Sequence, residues 1–205
     1  MASLAGMSPD RIGRVRWRRF AITLVPSLAL AVMLMLLSTQ AVLAVSLSIS
    51  GEAFTVTAGL LKGYGFEQFP VVDHSTLNDL PGNTNHKTLM STAIRSAKIS
   101  NLCQSVRIGP LTMVIRAGGG TTPVSATDLV VDADEFSGNA SFIHLSQGQD
   151  ASTLTQVPGV RGPAGAFALS ASKVTITDLR QHAYATTAGT FTLPGFSLRF
   201  GGTCS

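Results

Sequence analysis

Cysteine is scarce in this chain of 205 residues, with only Cys103 and Cys204, and the four histidines, His74, His86, His144 and His182, stand at no metal-ligand spacing. No metal centre is therefore expected from sequence motifs. Surplus charge is also missing from most of the chain. Five of the 15 Lys and Arg and one of the 11 acids precede residue 45, so ten of each remain and the rest is formally neutral. The overall pI of 9.5 belongs to the whole chain, and a basic footprint for nucleic acid is excluded. A Gly-x-Ser-x-Gly elbow is absent as well. Its nearest approach is "GFSLR", where Arg199 replaces the second glycine. "AGGGTTP" from Ala117 lacks the Lys-hydroxyl pair of a phosphate loop and reads as a turn.

What is present begins with an export signal. Arg11, Arg14, Arg16, Arg18 and Arg19 form a basic head, "FAITLVPSLALAVMLMLL" is an apolar run, and "STQAVLA" supplies small residues at Val42 and Ala44. This order predicts a signal peptide over 1–44, cut before Val45, with an uncleaved membrane anchor as the alternative. Residues 45–205 then form one domain, secreted or held in the cell envelope. In an oxidising compartment Cys103 and Cys204 are expected to pair.

Strand signals dominate after residue 45. "VSLSI" and "AFTVTA" alternate apolar and hydroxyl residues, and "LTMVIRA", "FALSASKVTI" and "TFTLPGFSLRF" keep the period of two. Serine and threonine supply 36 of these 161 residues, and β-branched Thr suits a half-exposed pleated surface. Breakers separate the runs: "KGYGFEQFP", "NDLPGNTN", "AGGGTTP" and "QVPGVRGPAG". Lys87–Ala97 alone has apolar residues near helical spacing. The longest expected loops are His74–Thr88 and Ser146–Gly165, of a length common in functional covers.

A short pattern recurs. "ISNL" from Ile99, "ATDL" from Ala126 and "ITDL" from Ile176 each set an apolar or small residue, Ser or Thr, Asn or Asp, then Leu. Around the last copy, Val174 and Ile176 put the apolar side on even numbers, whereas Leu179 and Ala183 put it on odd ones. A corner or bulge at Thr177-Asp178 reconciles the two, because Asn and Asp tolerate turn dihedrals. The expected fold is all-β and single-domain, a bent or solenoid-like sheet or a sandwich; uneven spacing of the copies favours the bent sheet.

Candidate chemistry is sparse. Asp178 and His182 stand four apart, a spacing that joins an acid to an imidazole on a helix. On a strand the same spacing is about 13 Å, so neither is expected to serve the other, though each can find a distant partner. Ser197 lies in an alternating strand and is the nearest thing to a nucleophile. Asp132, Asp134 and Glu135 offer oxygens to calcium or simply a solvated strand end. Leu179, Ala183, Phe191 and Phe196 either fill the core or line an apolar groove for a small ligand. No cofactor is implied.

The stretches "SLAGMSPDRIGRVRWRRFA", "ISNLCQSV" and "ATTAGTFTLPG" together resemble a family of small secreted proteins of Streptomyces-type actinobacteria. Many of that family carry the label cholesterol esterase, and its function is unsettled. The resemblance implies export and a link to sterol esters or other lipids, and supplies no catalytic residues. The leading expectation is an exported β-rich envelope or extracellular protein that binds lipid or another apolar ligand, with possible membrane association. The alternatives are a sterol-ester hydrolase and a purely structural envelope component.

Overall fold

The computed structural model describes residues 52–72 and 87–204, together with Trp17, Leu24, Pro26 and Val32 nearer the N-terminus. Those four are helical and belong to a separate compact unit, Met1–Leu47. Among the described residues no helix is long and apolar enough to cross a membrane. The strand expected at Val45 and most of the loop expected at His74–Thr88 lie outside the described residues.

Among the described residues nine strands build the second unit: β1 Phe54–Val72, β2 Thr88–Ser100, β3 Leu102–Ile108, β4 Leu111–Ala117, β5 Val124–Ile143, β6 Ser146–Asp150, β7 Phe167–Thr187, β8 Thr190–Thr192 and β9 Ser197–Phe200. All belong to one antiparallel sheet in the order β6-β7-β5-β2-β1-β3-β4-β9, with β8 on β5. The fold is therefore all-β, and of the forms expected the bent sheet is realised. It bends so far that β7 also pairs with β1, from Phe54↔Ala183 to Gln68↔Leu169. The long strands β1, β2, β5 and β7 thus close into a ring, which removes the open edges of its members.

Three residues make that curvature. Asn101, Asp128 and Asp178 have φ of 54°, 49° and 53°, and each is the third residue of one copy of the recurring pattern. An αL residue goes unpaired and side-chain parity flips after it; because the facing strand skips one residue at the same point, the register is kept and the result is a corner. Asp178 and Gly59 drop out of the ladder between Ala58↔Leu179 and Leu60↔Thr177. Asp128 and Arg95 drop out between Ile94↔Leu129 and Ser96↔Thr127. Buried positions accordingly run Val174, Ile176, then Leu179, Ala183 on β7, and Val124, Ala126, then Leu129, Val131, Ala133 on β5.

Three sequence expectations give way. Lys87–Ala97 is not helical but β2, because its neighbours β1 and β5 each supply a full ladder that outweighs its weak helical spacing. "KGYGFEQFP" does not end a strand: β1 runs through it. Its glycines serve close approach instead. A Cβ on Gly63 would stand 2.8 Å from Ile94 Cγ2 and 2.9 Å from Val174 Cγ1, and Gly65 has φ 68° with Gln156 O against the same position. Conversely "TFTLPGFSLRF" is two strands, since Pro194 has no N–H and Gly195 turns the chain at φ 66°.

The ring encloses one core, from Val56 and Leu61 through Phe66, Ile94 and Ile99 to Val174 and Ile176. A second, smaller core lies outside it, where Phe69 of β1 packs with Ala151, Leu154 and Ala168 beneath the strap 151–166. That strap is part of the expected Ser146–Gly165 loop, whose first five residues are β6. Asp150 fastens it at both ends, accepting from Ser152 N at 2.9 Å and Gly165 N at 2.9 Å, and these backbone donors hold its carboxyl below the usual range.

Candidate functional site

Inside the ring the packing leaves a cavity of about 40 Å³, lined by Val56, Ile94, Leu102, Leu179, Gln181 and Phe191 among others. Sites for small organic ligands run to roughly 300–1,000 Å³. The inner faces of the long strands are thus a filled core rather than a groove. Leu179 and Ala183 belong to that core, 3% and 0% exposed, while Phe191 is half-exposed and Phe196 lies on the surface.

Apolar surface is left open elsewhere. Strands β3, β4 and β9 extend from β1 as a wing, joined through Phe54–Thr57 paired with Val106–Cys103. Cross-strand pairs Val106↔Met113, Ile108↔Leu111, Met113↔Phe200 and Ile115↔Leu198 place these side chains on one face. Leu111, Leu198 and Phe200 are 55%, 44% and 63% exposed there. The opposite face carries Arg107, Arg116 and Arg199, and the three strands contain no acid.

That opposite face is also where the tail is fastened. Cys103 and Cys204 form the expected disulfide, with Cα atoms 5.8 Å apart and 101 positions of chain between them. With Val114 the two cysteines make a small buried cluster, and Cys204 N donates to Ser105 Oγ at 3.3 Å.

The titratable side chains meet on the outer face of β5 and β7. His182 Nδ1 lies 2.7 Å from Asp134 Oδ1, and Tyr184 OH donates to Asp134 Oδ2 at 2.9 Å. Lys87 Nζ donates to the Tyr184 hydroxyl and stands 3.9 Å from Asp134 Oδ2. Burial works to raise the Asp134 carboxyl, but the hydrogen bonds from His182 and Tyr184 and the nearby positive charge hold it below the usual range. Asp134 accepts from Nδ1–H and so orients the imidazole. The cluster stays wet: the Asp134 and His182 side chains are 35% and 42% exposed.

Asp178 plays no part in this. Its Oδ2 accepts from Asn139 Nδ2 at 3.3 Å, and His182 has found its acid on another strand, 48 positions away. Ser197 sits on β9 opposite Arg116. Between β7 and β9 run β1, β3 and β4, so the two side chains are about 19 Å apart across four strand spacings. Of the three candidates for catalysis, then, no two are brought together. Of the oxygens considered for calcium, those of Asp134 are engaged with His182 and Tyr184. The Asp134–His182 contact was not legible in the sequence, because it depends on the irregular β5–β7 register, which shifts between Asp132 and Glu135.

A buried carboxylate was also missed. Glu67 is fully buried beneath the strap, and its Oε1 accepts from the backbone N–H of Gln156 and of Val157. Oε2 has no hydrogen-bond partner. Burial pushes this carboxyl above its ordinary value, against the pull of those two N–H groups and of Arg161 and Arg95.

Fold and surface together define an all-β protein, an antiparallel sheet closed into a ring, with an amphipathic three-stranded wing. The chain belongs to a family of unknown function, DUF6230, whose model matches residues 50–205. No curated protein and no solved structure matches it.

Proposed function

We propose that this is an exported protein of the cell envelope or extracellular space that engages lipid through the apolar face of its wing. The observation that carries this reading is the exposed row Leu111, Leu198 and Phe200, set against an interior whose cavity is too small for an acyl chain. Surface that a protein leaves apolar and contiguous marks an interaction site. Export is supported by the basic head and apolar run before residue 45 and by the disulfide, which persists outside the reducing cytosol.

Flotation with vesicles of phosphatidylcholine and phosphatidylglycerol tests the proposal, using protein that begins at Val45. Wild type is expected to float, and L198Q/F200S to lose about tenfold or more of its vesicle affinity, the scale set by withholding two buried side chains. Equal flotation of both proteins, or of neither, sinks the reading and favours a purely structural role.

One observation favours a second reading, the sterol-ester hydrolase implied by the resemblance to actinobacterial proteins labelled cholesterol esterase. It is the Asp134–His182 pair, an imidazole oriented by a carboxylate. Turnover of a cholesteryl ester by wild type, lost in a stable His182→Ala variant, would establish it.

A further inference from the structure

The register of the outer face sets one row of side chains across four strands: Arg180 of β7 opposite Thr57 of β1, Thr57 opposite Cys103 of β3, and Cys103 opposite Arg116 of β4. The floor between the two arginines is Thr57 and Cys103, the latter bonded to Cys204, and beside it Gly59 has no side chain at all. The result is a cleft of about 430 Å³, lined by Thr57, Gly59, Asn101, Arg116, Asp178 and Arg180 among others. Its Arg positions are three strand spacings apart, about 14 Å between backbones, a span that two long guanidinium side chains close from opposite sides onto one ion.

The donors around the cleft are unspent. Among the described residues neither Arg116 nor Arg180 has an ion-pair partner. Asn101 is fixed over the floor by its αL backbone, so that a Cβ on Gly59 would stand 3.2 Å from its Nδ2. One carboxylate is also present, Asp178, tied toward β5 by Asn139. The cleft therefore keeps net positive charge with two forked guanidiniums and an amide, the donor set that suits a tetrahedral oxyanion.

We propose that the cleft over Gly59 binds a phosphate group between Arg180 and Arg116, as the free ion or as the phosphate of a headgroup. The site lies on the face of the wing opposite its apolar side, so it does not depend on the lipid reading above. Asn101 and Asp178, two of the three bend-forming residues, thereby also shape a binding site. The corner at which Gly59 and Asp178 leave the ladder opens the hollow.

Titration of the intact, disulfide-bonded chain with inorganic phosphate and with glycerol 3-phosphate, followed by calorimetry, tests this. Saturable binding of inorganic phosphate alone assigns the free ion; binding of glycerol 3-phosphate as tightly or more tightly assigns a headgroup. Arg116→Gln and Arg180→Gln are each expected to weaken binding about tenfold, and Asp178→Asn to tighten it severalfold by removing the one repulsive charge. Arg107→Gln, on the wing but outside the cleft, leaves affinity unchanged, and unchanged melting temperatures show that the variants remain folded. No saturable binding of either ligand at millimolar concentration overturns the proposal. So does equal weakening in all three arginine variants, which would report surface charge alone.

Discussion

At Asn101, Asp128 and Asp178 the backbone sits in the left-handed region, where a Cβ crowds the following carbonyl and most side chains carry a penalty. Asn and Asp bear it because their short polar groups bond nearby, as Asp178 does to Asn139. The penalty rises for a β-branched side chain. Asp178→Gly is accordingly expected to stay within about 1 kcal/mol of wild type and Asp178→Val to lose about 1–3 kcal/mol in urea denaturation. Equal stabilities would show that φ at this position is not what the sequence selects. The recurrence of one residue type, coupled to a switch of apolar parity, made these bends legible without a structure. At residues such as Glu67 nothing comparable was visible, since a glutamate in a strand is exposed more often than buried.

The strap 151–166 is the element that buries it. Leu154 and Val157 are 3% and 1% exposed under this segment, Gln156 O accepts from Arg95 Nε at 2.7 Å, and two of the strap's backbone N–H groups end on Glu67 Oε1. Because burial raises this carboxyl above its ordinary value, the folded state holds the proton more tightly than the unfolded chain. Its contribution to stability is then complete below the unfolded value and is lost as pH rises through the raised folded one. Glu67→Gln keeps the Oε1 acceptor and removes the charge. Relative to wild type the variant should gain stability as pH rises above about 4.5, read from urea midpoints at successive pH values. A difference between the two proteins that stays constant with pH refutes the assignment. The length and Gly-Pro content of the strap were legible in the sequence; its docking site was not, since Phe69 and Gly162 meet only in the fold. A Cβ on Gly162 would lie 2.6 Å from Phe69 Cδ2.

For the whole molecule, the ring leaves the wing as the part held least by neighbours, and the Cys103–Cys204 bridge ties the C-terminal tail to it. A cross-link over 101 positions restricts the unfolded chain strongly. Its removal typically costs about 2–5 kcal/mol. Cys103→Ser with Cys204→Ser is expected to lose stability on that scale and to expose Val114 and Ser105, checked by thermal melting with and without reductant. A melt that reductant leaves unshifted in wild type would contradict the structural weight given to this bridge.

Local chemistry settled much of this protein. Period-two alternation specified strands, Asn and Asp after Ser or Thr specified where they bend, and two cysteines in a chain that starts with a basic and apolar stretch suggested a pair. These features depend on residues close in sequence, or on there being only one possible partner. Register depends on neither. Which strand lies beside which, and shifted by how much, decided that β7 returns to β1, that His182 meets Asp134 rather than Asp178, and that Arg180 and Arg116 face each other across Thr57 and Cys103. A one-residue slip in any ladder would turn those side chains to the other face, and only the packed ring fixes that choice.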